Sequence, residues 1–147
     1  MSNISYATRF TVDATPQAVF DAVTNPKGWW AKDIEGDTAA KGDEFVQTYG
    51  DMHRCRIRVT EAVPGEKVSW YVLENYFSFT EDKTEWTGTT ITFDIKENDD
   101  GTEVAFTHEG LVTGYECYDV CSNAWGSHIN GSLRDLIVTG KGDPTRA

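Results

Sequence analysis

Three histidines and three cysteines carry much of the reactive chemistry in this 147-residue chain. Cys117, Cys121 and His128 fall within about 40° of one another on a helix advancing about 100° per residue. Thiolate and imidazole are sensible zinc ligands. However, His128 lies two turns beyond Cys121, on the order of 10 Å along a helix axis, so one tetrahedral ion cannot reach all three. The cysteines therefore read as small, partly buried thiols, and neither a metal nor another cofactor is expected. Three cysteines cannot all pair within one chain, and the spacing of Cys117 and Cys121 suits free thiols and a reducing cytoplasm. His108 precedes Glu109, but neighbours on a strand point to opposite faces and form no dyad. His108 could instead meet Glu116 or Tyr118 as a proton-transfer pair. Ser127 adjoins His128, yet consecutive helical side chains diverge, so no nucleophile is visibly activated. Catalysis accordingly ranks behind binding, and no catalytic residue is assigned.

The chain also carries five Trp, six Tyr and seven Phe. Along the last helical segment the inner stripe offers Tyr118, Cys121 and Trp125, with His128 at its edge. Buried polar atoms need partners, and a solid core would more cheaply use aliphatic residues there. A cavity admitting water or a polar ligand group would satisfy them. The expected pocket is bounded from the sheet side by Trp70, Phe93, Phe106 and His108. Trp30 (in Trp29-Trp30) and Phe79 (in Tyr76–Phe79) could close over it as a lid, form an aromatic patch that docks a protein, or simply pack against the sheet edge. The competing reading is a filled core whose Tyr, Trp and His bond to backbone groups. The expected ligand is a small apolar or aromatic molecule.

Acidic residues outnumber basic ones by 24 to 13, for a formal net charge of −11. Such a surface repels phosphate backbones and anionic lipid heads, so neither nucleic acid nor membrane insertion is expected. Arg54, Arg56 and Arg58 alternate with His53, Cys55, Ile57 and Val59, which reads as one solvated strand face. No apolar run reaches the length of a membrane span, and the first residues lack a charged, then apolar, signal segment.

These residues must be positioned by the elements around them. A period of two from Ile4 to Val12 marks an opening strand. Thr15 before Pro16 caps a short helix with its stripe at Ala18, Val19, Ala22 and Val23. Asn25-Pro26 ends it and starts a second short turn through Trp29-Trp30. Strands follow from Ile34, with a third over His53–Val63 closed by Pro64-Gly65 and another through Val68, Trp70 and Val72. A long strand is predicted over Trp86–Glu97, then a tight turn at Asn98–Gly101 and a return through Thr102–His108. Thr113 and Glu116 fit a capping box for a helix over Tyr115–Thr139. Gly140, Gly142 and Pro144 stop that helix, leaving 141–147 as a loose tail. Its length, about 37 Å, matches the roughly 40 Å of the long strand. The length of the chain fits one domain over residues 1–147.

This order resembles the helix-grip fold of the START-like (SRPBCC) superfamily, an α+β fold in which a curved antiparallel sheet wraps around a long C-terminal helix, with two short helices after the first strand. Ala14–Phe20 followed by Trp29-Trp30 is similar to that superfamily's entry motif. Glu85–Thr89, Phe106–Leu111, and Trp125 ahead of Ser132-Leu133 resemble the activator of heat-shock-protein-90 ATPase branch, in its C-terminal-domain-like form. The resemblance spans essentially the whole chain. It implies a space between helix and sheet that holds lipids, sterols, polyketides or other apolar molecules. It also implies, as alternatives, a protein-interaction module of the chaperone-activator type or a small cyclase or hydrolase using the same space.

Overall fold

The computed structural model describes residues 5–31, 33–49, 53–78, 86–111 and 118–144. The strands are β1 (Tyr6–Val12), β2 (Ile34–Gly36), β3 (Glu44–Tyr49), β4 (His53–Val63), β5 (Lys67–Phe77), β6 (Thr90–Asn98) and β7 (Gly101–Glu109). They form one antiparallel sheet in the order β1-β7-β6-β5-β4-β3-β2, left open at its two edges. Between β1 and β2 lie α1 (Pro16–Val23) and a 3-10 turn over Pro26–Gly28. The chain finishes with α2 (Tyr118–Gly126), a π-helical segment over Ser127–Leu133, and α3 (Arg134–Thr139). This is the helix-grip arrangement.

Local chemistry explains most of the boundaries. Thr15 caps α1 by accepting the Ala18 N–H at 3.1 Å, and Pro16 supplies the first helical residue. At the β6–β7 turn Gly101 has φ of +133°, and a Cβ there would lie 2.1 Å from the Val12 carbonyl oxygen. Only glycine fits.

Two strand predictions are corrected. The long strand does not start at Trp86: residues 86–88 form a turn, with Gly88 at φ +84°, and β6 begins at Thr90. In the other direction, β5 runs past Val72 as far as Phe77. Its inward positions are Val68, Trp70 and Val72, then Asn75 and Phe77, because the β4–β5 register shifts at Arg56/Ile57. A bulge of that kind breaks the period of two and bends the sheet. A second shift lies at Val59/Glu61. Together they give β4 and β5 the curvature that makes one face concave.

The terminal helix is not continuously α-helical. Thr113 and Glu116, the expected capping box, lie outside the described residues. Within them, Ser127–Leu133 is π-helical. Cys121, Trp125, Ile129 and Leu133 are spaced four apart, so an α-helix would rotate each about 40° past the one before. The wider i→i+5 turn reduces that drift and keeps the four buried side chains facing the sheet. Leu136 and Ile137, which continue the apolar stripe, are only half-buried at the rim. Nor does the tail begin at 141: Ser132 Oγ accepts the Asp143 N–H at 2.7 Å, and Gly142 sits against Gly28 and Ser132.

Candidate functional site

All five tryptophans are buried in one cluster on the concave side of the sheet. Trp29, Trp30 and Trp70 stack with interplanar angles of 9° to 20° and centroids 5.8 to 6.3 Å apart. Trp125 joins Trp30 at 5.0 Å and Trp86 at 5.6 Å. Phe93 and Phe106 form the floor, 5.0 Å from Trp70 and 4.8 Å from Trp125 respectively. These offset-stacked and edge-on arrangements suit the ring quadrupoles. The Trp29-Trp30 pair is thus interior, neither a lid nor an exposed patch. It gets there because Ser132 Oγ, fully buried, donates to the Trp29 carbonyl at 2.7 Å and ties the 3-10 turn to the π segment.

Of the residues expected to surround a pocket, Trp30, Trp70, Phe93, Phe106, His108 and Trp125 come together in this cluster. Cys121 and His128 are buried on the same terminal helix, and the His128 ring lies 6.4 Å from Trp125. Tyr118 is half-buried against the core. Phe79 lies outside the described residues. Among those residues no three His, Cys, Asp or Glu side chains group as a metal site.

His108 is fully engaged. Trp125 Nε1 donates to its Nδ1 at 3.1 Å, so the ring proton sits on Nε2, which meets Thr89 Oγ1 at 2.8 Å. Thr89 in turn donates to the Trp86 carbonyl at 2.6 Å. The result is a one-way chain of donors from indole to carbonyl. Burial pushes the His108 imidazole down to about 3, and nearby His53 adds to this. Neither nitrogen is open to Glu116 or Tyr118 as a proton-transfer partner.

A second polar group lies on the concave face across β3, β4 and β5, on the far side of Trp86 in contact order, and the sequence pattern did not single it out. Gln47, Cys55 and Asn75 are register partners across β3, β4 and β5. Cys55 Sγ donates to Gln47 Oε1 at 3.4 Å. His53, two residues before Cys55, stacks on Phe77 at 4.5 Å and meets Trp86 edge-on at 4.9 Å. Burial pushes its imidazole to about 3. The available signal was His53 and Cys55 in phase with Ile57 and Val59. Asn75 was hidden by the bulge.

Elsewhere, an open groove of about 450 Å³ runs along the β2–β3 edge, lined by Lys27, Asp33, Glu35, Thr48 and Arg54 among others. None of the expected pocket residues lines it. On the convex face Glu44 clamps Arg56 and Arg58 at 2.9 and 2.8 Å, in keeping with a solvated strand face.

The model of the family described as Activator of Hsp90 ATPase homolog 1-like protein matches residues 13–137. The chain belongs to that family. Among solved structures, the Aha1 dimer from Colwellia psychrerythraea is 27% identical, with a TM-score of 0.75 over 97% of this chain and 100% of that one. A protein from Mesorhizobium loti shares 13% identity at a TM-score of 0.71, over 92% and 96% of the two chains. A protein of the dynemicin biosynthetic locus shares 16% at 0.66, over 96% of this chain and 49% of the other. The last two show the fold alone. No curated protein matches the chain. Domains of this family are of ligand-binding or co-chaperone type, and no helix among the described residues is long and apolar enough to cross a membrane.

Proposed function

We propose that this Activator of Hsp90 ATPase homolog 1-like domain binds a small, largely apolar molecule between its sheet and its terminal helix. One observation carries the reading. Among the described residues, the indole N–H groups of Trp29, Trp70 and Trp86 end in the interior with no acceptor, although buried donors are nearly always paired. Three such donors in one cluster are costly in a permanently closed core, at about 1–3 kcal/mol each. A flat ligand entering between the stacked rings exchanges one ring–ring contact for two ring–ligand contacts and brings acceptors to these donors. The π segment above the cluster supports the same reading, since such segments recur at functional sites.

The experiment uses the tryptophans themselves. Titration with N-phenyl-1-naphthylamine, a neutral apolar probe, is expected to quench their emission saturably and raise the melting temperature. Native mass spectrometry of freshly purified protein is expected to show a co-purifying molecule. Absence of quenching, thermal shift and added mass together would refute the proposal.

A second reading, docking of a chaperone-type protein, is favoured by Tyr71 and Tyr76. Both are exposed on β5, in register with Arg58 and Arg54. Aromatic and arginine side chains are enriched at protein interfaces. Stimulation of an Hsp90-type ATPase, lost in Tyr71→Ser/Tyr76→Ser, would support it; no stimulation would count against it.

A further inference from the structure

The polar group across β4 and β5 adds an amide and an imidazole to the indole donors of the aromatic cluster. Asn75 uses its Oδ1 to accept the Thr87 hydroxyl at 3.1 Å, while Thr87 Oγ1 accepts the Asn75 backbone N–H at 3.2 Å. That exchange occupies the carbonyl side of the amide and leaves Nδ2 without a partner among the described residues. Trp86, next to Thr87 in the chain, has its Nε1 unpartnered, and so is His53 Nε2, on a ring 4.9 Å from the indole. Asn75 and Trp86 are each more than nine-tenths buried. Amide NH₂ and indole N–H can only donate, and the imidazole nitrogen can do either. The neighbourhood therefore asks for an acceptor. It does not ask for an anion: among the described residues no Lys, Arg, Asp or Glu is buried, and an unpaired carboxylate would lose its hydration there uncompensated.

We infer that Asn75, Trp86 and His53 form a subsite for a neutral hydrogen-bond acceptor, so that the ligand is a flat apolar molecule bearing a carbonyl oxygen, such as a ketone, quinone or lactone. This rests on the ligand binding between sheet and terminal helix proposed above. The apolar frame lies against the tryptophan rings, and the carbonyl points toward β4 and β5.

Three probes sharing one ring frame test it on the full chain by tryptophan quenching: 9-fluorenone, fluorene and fluorene-9-carboxylate. Fluorenone is expected to bind on the order of tenfold tighter than fluorene, the scale of one or two net hydrogen bonds, and the carboxylate weakest. Asn75→Leu and Trp86→Phe should each shrink the ratio of fluorenone to fluorene affinity toward one, whatever either does to fluorene alone. The carbonyl stretch of bound fluorenone should move to lower wavenumber in the wild-type protein and part of the way back in each variant. Equal binding of fluorenone and fluorene would overturn the subsite but leave the cavity standing. Tightest binding by the carboxylate would overturn neutrality. Binding by none of the three would overturn subsite and cavity together. Should both variants fail to fold, the infrared band of the wild-type complex decides, and an unshifted carbonyl overturns the inference.

Discussion

Trp125 donates to His108 Nδ1, and His108 passes its own proton toward Thr89, so the imidazole is held as one neutral tautomer. His53 is neutral for a simpler reason, burial between Phe77 and Trp86. Both titrate near 6.5 when unfolded and near 3 when folded. Between those values the unfolded chain binds more protons, so stability rises with pH. It is intact above about 6.5 and falls as pH drops toward 3, by up to about 1.4 kcal/mol per pH unit for each histidine. Urea unfolding between pH 7 and 5, above most carboxylate titration, should show this slope. His108→Gln should reduce it by about half, and an undiminished slope would locate the protons elsewhere. Trp125→Phe keeps most of the ring but leaves Nδ1 without its donor. It should lower unfolding free energy by about 1–3 kcal/mol.

The terminal helix holds the cluster together through a hydroxyl as well as through its apolar stripe. Ser132 is fully buried, donates to Trp29 O and accepts from Asp143 N. Ser132→Ala strands both backbone groups, with an expected loss of about 1–3 kcal/mol in denaturant unfolding. A loss below about 0.5 kcal/mol would mean that water replaces the hydroxyl. The same element shows what a sequence can and cannot convey. The order Cys121, Trp125, Ile129, Leu133 identifies the buried stripe, but its spacing of four fits an α-helix imperfectly, and the mismatch is resolved by a π segment. Similarly, Val68, Trp70 and Val72 announce a strand. The shift that returns Asn75 and Phe77 to the inner face depends on pairing with β4, which no local pattern reports.

With a formal charge of −11, the folded chain repels itself. Raising NaCl from about 0.01 M to about 0.2 M shortens the screening length from about 30 Å to below 8 Å. The melting temperature should rise by about 2–4 °C, equivalent to about 1 kcal/mol for a chain of this size. A scan by calorimetry checks this, and a fall would point to specific ion pairs outweighing the general repulsion. The open sheet concentrates its aromatic mass on the concave side, where ligand binding is proposed. The convex side carries the Glu44–Arg56–Arg58 cluster together with Tyr71 and Tyr76. The two proposed uses of the domain therefore occupy opposite faces, and substitutions on one need not disturb the other.

Periodicity, caps and turn residues sufficed to establish the α+β class, the strand–helix order and the aromatic stripe, because each arises from interactions within a few residues of chain. The same information placed Trp70, Phe93, Phe106, His108 and Trp125 on inward positions. It did not show that both nitrogens of His108 are occupied, or that Trp29 is interior. Nor did it show that His53 packs against Trp86 or that Asn75 bonds Thr87. Those outcomes depend on strand register, bulges and the helix crossing the concave face, which join residues tens of positions apart. Only the folded chain determines which buried donors find acceptors and which do not.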